Sequence, residues 1–184
     1  MKTKILLLGD PLLRERSDPI DKIDNKKNIA DYEVLKVALD EFRKENGFGR
    51  GIAAPQIGIL KRIIALNLGN GPFVIINPVI VKKSLLSFSM WDDCMSFPDL
   101  VIRVKRHKTI SIIYLDENGK KVKWNNVEQS VSELLQHEID HLNGILAIDR
   151  AISKNSILYK KEYNKNKEYY DEQVDYPITT TIIK

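Results

Sequence analysis

The run His137-Glu138-Ile139-Asp140-His141 constrains this chain more than any other feature. It follows Ser130-Val131-Ser132-Glu133, a serine with a glutamate three residues on, which predicts a capping box opening a helix before Leu134-Leu135. Asn143-Gly144 supplies the stop. On a helix turning about 100° per residue, positions i and i+4 point within roughly 40° of each other, so both imidazoles can grip one metal ion. Glu138 flanks the pair and can reach a metal-bound water without ligating.

The rest of the chain supplies one more firm helix and several strands. Gly9-Asp10-Pro11 predicts a turn, and the polar stretch to Asn28 an extended arm. From Ile29 to Asn46, the residues Ile29, Val34, Leu35, Ala38 and Phe42 recur at helical spacing before Gly47. Short β-branched or aromatic runs follow at 62–68, 73–81, 85–91, 101–105 and 109–115, separated by Gly69-Asn70-Gly71, Pro98 and Asp116-Glu117-Asn118-Gly119. The fold class expected is α+β: antiparallel sheets packed around a central HExxH-bearing helix, with an N-terminal helix and a C-terminal helical tail. Residues 1–152 form the expected catalytic domain. The remainder, 153–184, holds a Lys/Asn-rich helix over 153–172 and a β-branched end, 177–184, that can add an edge strand.

Composition removes several function classes. A length of 184 residues with 43% hydrophobic content suits one globular domain, and a single cysteine, Cys94, rules out an internal disulfide and points to a reducing compartment. No segment approaches the roughly 20 apolar residues of a membrane span, and the run Ile5 to Leu8 is too short for a signal-peptide core, so a cytoplasmic location is expected. The 29 basic and 25 acidic residues are interspersed, which describes a solvated surface better than a sequence-specific nucleic-acid reader. The tail lysines Lys154, Lys160, Lys161, Lys165 and Lys167 leave room for transient ribosome contact.

Two histidines make an incomplete site, and the third ligand discriminates between enzyme types. A further histidine ten residues after His137 would mark a metzincin, but that position is Ala147. Glu162 stands near the spacing of a downstream glutamate ligand, inside the charge-rich tail. Cys94 is the better candidate, because a thiolate with two imidazoles leaves the fourth position open, as catalysis requires. His107, beside Arg106 and Lys108, has no ligand spacing and is expected at the surface. Asp140 is expected to orient a histidine or to face solvent.

Gly49-Arg50-Gly51-Ile52-Ala53-Ala54-Pro55-Gln56 resembles the first motif of the peptide deformylases, a GxGxAAPQ sequence. Asp93-Cys94-Met95-Ser96 is similar to their second motif, EGCLS, and Gln136 to Leu142 to their third; Gly9-Asp10-Pro11 and Ile76-Asn77-Pro78 fit the same layout. The resemblance spans about residues 4–150. It implies that Cys94, His137 and His141 bind the metal, usually Fe2+, with Zn2+, Ni2+ or Co2+ able to substitute. It also implies that Glu138 is the general base, and that Gln56 and the backbone N–H of Met95 stabilise the oxyanion. The substrate would be an N-formyl-methionyl peptide, met by Gly49, Arg50, Gly51 and Asp93, with formate as product.

Four positions depart from the family's pattern. Asp92 and Asp93 replace a glutamate and a glycine before the cysteine, and Met95 a leucine after it. Arg106 stands where it can still pair with Asp92. Arg50 replaces a small apolar residue lining the pocket for the substrate's first side chain, and a guanidinium there is costly without a partner. Arg50 is expected to pair with Asp93 or Asp92. Three other readings stay open: a deformylase-like hydrolase for another N-acyl substrate, a non-catalytic metal-binding or ribosome-associated paralogue, and a zinc endopeptidase using Glu162. Gln56 and Glu138 argue against the second, since a structural site needs neither a base nor an oxyanion donor.

Overall fold

The computed structural model describes residues 3–177. Its first helix, α1 (Lys26–Asn46), starts three residues before the expected point because the Asn25 side chain accepts a hydrogen bond from the Lys27 backbone N–H at 2.9 Å. Gly47, at φ 72°, ends it in the left-handed conformation. The buried stripe is Tyr32, Leu35, Ala38 and Leu39, whereas Ile29 and Val34 of the expected apolar face are exposed. The arm before α1 contains a 3-10 turn, Pro11–Arg14, capped by the Asp10 side chain.

Eight strands form two antiparallel sheets. The larger has the order β1 (Gly51–Ala53), β2 (Ile63–Asn67), β3 (Pro72–Lys83), β6 (Ile110–Leu115), β7 (Lys121–Val127). The smaller pairs β4 (Ser87–Asp93) with β5 (Leu100–His107), and β5 with β8 (Ile157–Tyr159). Strands β1, β7 and β8 are additions to the runs read from the sequence. At three residues β1 and β8 are too short to show a period, and β7 is an edge strand, largely exposed and polar.

Side-chain alternation decides where the second helix goes. Along β2, Ile63 and Ala65 face α1, while Ile64 and Leu66 face the opposite layer. That layer is α2 (Gln129–Leu142), whose Val131, Leu134, Leu135, Ile139 and Leu142 pack on Ile75, Ile110, Ile112 and Val127 of the large sheet. Every residue from Val131 to Leu142 is buried, so the polar side of α2 must be satisfied by protein. Much of it meets the small sheet: Gln136 bonds both the N–H and the C=O of His107, and Ser132 Oγ donates to the same carbonyl.

The capping box is not formed. The helix begins at Gln129 with Glu128 at its N-cap, and the Ser130 hydroxyl, already in the first turn, donates to Glu128 Oε1 at 2.7 Å. The segment after residue 152 is β8 followed by two short helices, α3 (Lys160–Lys165) and α4 (Lys167–Asp171), in place of one helix over 153–172. The expected strand over 177–184 falls, after Pro177, outside the described residues.

Candidate metal centre and active-site cleft

Three buried side chains converge where α2 meets the end of β4. Cys94 Sγ, His137 and His141 offer ligand atoms that all lie within 4.8 Å of one another, the one such group among the described residues. The two Nε2 atoms are 3.1 Å apart, and Cys94 Sγ is 3.3 Å from His141 Nε2. Helical spacing delivers the imidazoles, and Cys94 opens the turn after β4, where its carbonyl accepts from the Phe97 N–H at 3.2 Å.

The tautomer of His137 is set from behind. Its Nδ1 lies 3.0 Å from Asp92 Oδ2, so Nδ1–H donates to the carboxylate and Nε2 turns a lone pair toward Cys94 and His141. Three donors this close and largely buried need a shared proton or a metal cation among them. One thiolate and two imidazoles suit a borderline-soft divalent cation with an open position, so the residues fit a metal ion.

Beneath the histidines runs a buried ionic network. Arg106 donates to Asp92 Oδ2 at 2.9 Å and to Asp140 Oδ2 at 2.6 Å, and Asp140 Oδ1 accepts from Arg150 at 2.7 Å. The expected Asp92–Arg106 pair is therefore present. Asp140 is buried and acts on Arg106 and Arg150, in place of either expected role at a histidine or in solvent. Burial alone would raise Asp92, but His137 and Arg106 overcome it and hold the carboxyl well below the usual range. Burial lowers His137, yet Asp92 raises it further, whereas burial and the neighbouring His137 both lower His141. Burial pushes the Cys94 thiol up, a tendency that a coordinated cation reverses.

Glu138 and Gln56 sit beside this centre. Burial pushes the Glu138 carboxyl up to about 7, and its Oε2 has no hydrogen-bond partner among the described residues. The backbone at Gly51 crosses so close that a Cβ there would lie 2.9 Å from Glu138 Oε1. Gln56, in the 3-10 turn Ala54–Ile57 after β1, is locked by its Oε1 accepting from the Ala53 N–H at 2.9 Å. That turns Nε2 toward Ser96 Oγ at 3.2 Å and Cys94 Sγ at 3.6 Å. Gly49, at φ 110°, could take no side chain without meeting Met95 Cε at 2.8 Å.

A cleft of about 720 Å³ opens over these groups and includes Gly49, Arg50, Gly51, Asp93 and Met95 in its lining, so all ten site residues read from the sequence except His141 border it. His141 lies deeper, at 1% exposure. The expected pairing of Arg50 is corrected. Its guanidinium binds the carboxylate of Glu133 and donates to the Ser130 carbonyl at 2.6 Å, while Asp93 pairs with Lys160 at 2.8 Å. The reason is strand alternation: Asp92 faces α2 and is filled by His137 and Arg106, and Asp93 points the other way, toward the tail. Burial pushes Glu133 up to about 7 against the pull of Arg50.

Glu133, Lys160 and Tyr176 border or touch the cleft and were missed. For Glu133 a signal existed, since it stands four residues before His137 and shares its helical face. His107 is half-buried, with Nδ1 2.9 Å from the Ser84 carbonyl oxygen, and Glu162 lies in α3; neither joins the converging group.

Known proteins carry the same architecture. The polypeptide deformylase family model matches residues 2–156. A peptide deformylase of Thermotoga maritima is 35% identical over 161 residues, covering 86% of this chain and 93% of that protein. The crystal structure of a peptide deformylase from Thermotoga maritima superposes with a TM-score of 0.75 at 33% identity, over 83% of this chain and 99% of that one. One from Legionella pneumophila gives 0.74 at 27% identity, over 94% and 97%. Three ordered motifs, their convergence on one cleft and these matches lead to one conclusion: the chain belongs to the polypeptide deformylase family.

Proposed function

We propose that this protein removes the N-formyl group from the N-terminal methionine of newly made polypeptides, releasing formate, with a metal held by Cys94, His137 and His141. The observation that carries the reading is Glu138, a buried carboxylate without a hydrogen-bonding partner among the described residues, set beside a donor group that fits a metal ion. A bound divalent cation supplies Lewis acidity toward water and the formyl carbonyl.

Glu138 accepts the proton of the attacking water and returns it to the departing amine nitrogen, and a carboxyl displaced toward neutrality suits both transfers. Gln56 Nε2 and the Met95 N–H donate to the carbonyl oxygen as charge gathers on it, with the Gln56 amide held in position through its Oε1. Asp92 keeps His137 in the ligating tautomer. As β1 ends the large sheet, the backbone around Gly49–Gly51 can receive an extended peptide as an added strand, with Arg50 and Asp93 bordering it.

One thiolate and two imidazoles suit iron and zinc alike, and the resemblance to the deformylases supports Fe2+ as the native metal, with Zn2+, Ni2+ and Co2+ able to replace it. An iron-bound thiolate is oxygen-sensitive, which together with the single cysteine supports a cytoplasmic setting; among the described residues no helix is long and apolar enough to cross a membrane. Ribosome contact through the tail would have to use fewer lysines than composition offers, since Lys160 and Lys167 are engaged by Asp93 and Asp171.

A second reading, hydrolysis of another N-acyl group, draws on Arg50 and Asp93. Loaded with iron without oxygen and given formyl- and acetyl-Met tripeptides, the protein is expected to prefer the formyl substrate at least about 100-fold in kcat/KM. Equal rates would favour the second reading.

A further inference from the structure

The family match ends at residue 156, but the cleft does not. The segment beyond touches it twice. At the first contact Lys160 binds Asp93 at 2.8 Å and places its ammonium 4.3 Å from the ring centre of Phe48, and both Asp93 and Phe48 line the cleft. The chain then passes through α3 and α4 and returns at residues 175–176. There Asp175 Oδ2 accepts from both the N–H and the hydroxyl of Ser89 at 2.8 Å, and the Tyr176 N–H donates to the Ser89 carbonyl at 3.1 Å. Tyr176 stands edge-on to Phe88 at 5.4 Å between ring centres and packs on the apolar cluster that contains Cys94.

So fixed, Tyr176 borders the cleft with its phenol in the field of Glu133, Arg50 and Glu128, at the N-terminal end of α2. Glu133 precedes His137 by one turn, about 6 Å along the helix axis. A substrate whose scissile carbonyl lies at the metal centre has its first side chain within reach of that turn.

We propose that Tyr176 is the end wall of the pocket for the substrate's first side chain, held in place by the segment 157–175 and backed by the Arg50–Glu133 pair, so that this segment sets which formyl peptides are accepted. The proposal rests on the deformylase reading. The wall limits bulk at the end of the pocket: it admits a slim unbranched side chain such as methionine's and excludes the broader ring of an aromatic one.

The test is the ratio of kcat/KM for formyl-Phe and formyl-Met tripeptides, which does not depend on how much of a preparation is folded. Tyr176→Ala is expected to raise the formyl-Phe to formyl-Met ratio about tenfold. Tyr176→Phe, which keeps the ring, should restore the parent ratio. Asp175→Ala, which unhooks the segment from Ser89, should move it the same way by a smaller factor. Tyr169→Ala, on the exposed side of α4, should leave it unchanged. A ratio within roughly twofold of the parent in Tyr176→Ala overturns the end wall while leaving the deformylase reading intact. A parent that releases no formate from either peptide overturns both.

Discussion

Asp92 and Asp93 are neighbours on one strand and live in different chemical worlds. Asp92, 4% exposed, joins a closed chain of charges from Arg150 through Asp140 and Arg106 to His137. Asp93 points to the rim, where it meets one half-exposed lysine. Beneath the cleft Asp92, Arg106 and Asp140 each have two charged partners and little water, so removing one strands the others. At the rim, solvent can replace whatever is lost. Both positions depart from the family's usual residues, and the contrast shows why the two departures weigh differently: the shorter Asp92 keeps a wired carboxylate, while Asp93 alters the solvent-facing lining of the cleft.

The sharpest way to break that contrast is Arg106→Met. It leaves Asp92 facing His137 without its guanidinium and takes one cation from Asp140, and should cost about 3–5 kcal/mol in urea unfolding. Next comes Gln56→Ala, which removes a fixed donor from the centre and should lower kcat about 10²–10³-fold with KM little changed.

The third prediction concerns pH. In the metal-free protein Glu138 titrates at about 7 when folded against an ordinary 4.5. Its protonated form thus favours folding, and that contribution is full below the unfolded value and lost as pH rises through about 7. Between pH 5 and 8 with a chelator, stability measured by urea unfolding should change with pH more steeply downward in the parent than in Glu138→Gln, the difference reaching up to about 3 kcal/mol. His141, lowered by burial, opposes the fall in both. Glu133 supplies a parallel decline that the variant retains. Smallest of all, Lys160→Ala removes a rim ion pair and should shift stability by no more than about 1 kcal/mol. A loss matching that of Arg106→Met would erase the distinction between the two regions.

What could be read from the sequence follows the same division. His137, His141 and Cys94 were legible because helical geometry and ligand chemistry restrict them to few arrangements, and the Asp92–Arg106 pair because the resemblance to the deformylases places an arginine opposite the carboxylate before the cysteine. The strands with β-branched runs were found, but β1 and β8, at three residues each, carry no measurable period. The capping box failed for an instructive reason: Ser130 and Glu133 satisfy the local pattern, but Glu133 is taken by Arg50, eighty-three residues away in sequence. The mistaken Arg50 partner has the same origin. Choosing among acidic residues required knowing which face of β4 each occupies and that α2 brings Glu133 nearer, a tertiary fact with no local signature. Tyr176 was likewise invisible, since its place depends on where the tail returns.

The central claim is that Glu138 transfers the proton at a metal centre held by Cys94, His137 and His141. It is tested most directly by measuring formate release and metal content together, on anaerobically iron-loaded parent and Glu138→Gln with a formyl-Met tripeptide. The account predicts equal metal content and a loss of about 10²–10⁴-fold in kcat for the variant. A variant that keeps its metal and turns over at the parent's rate would contradict it.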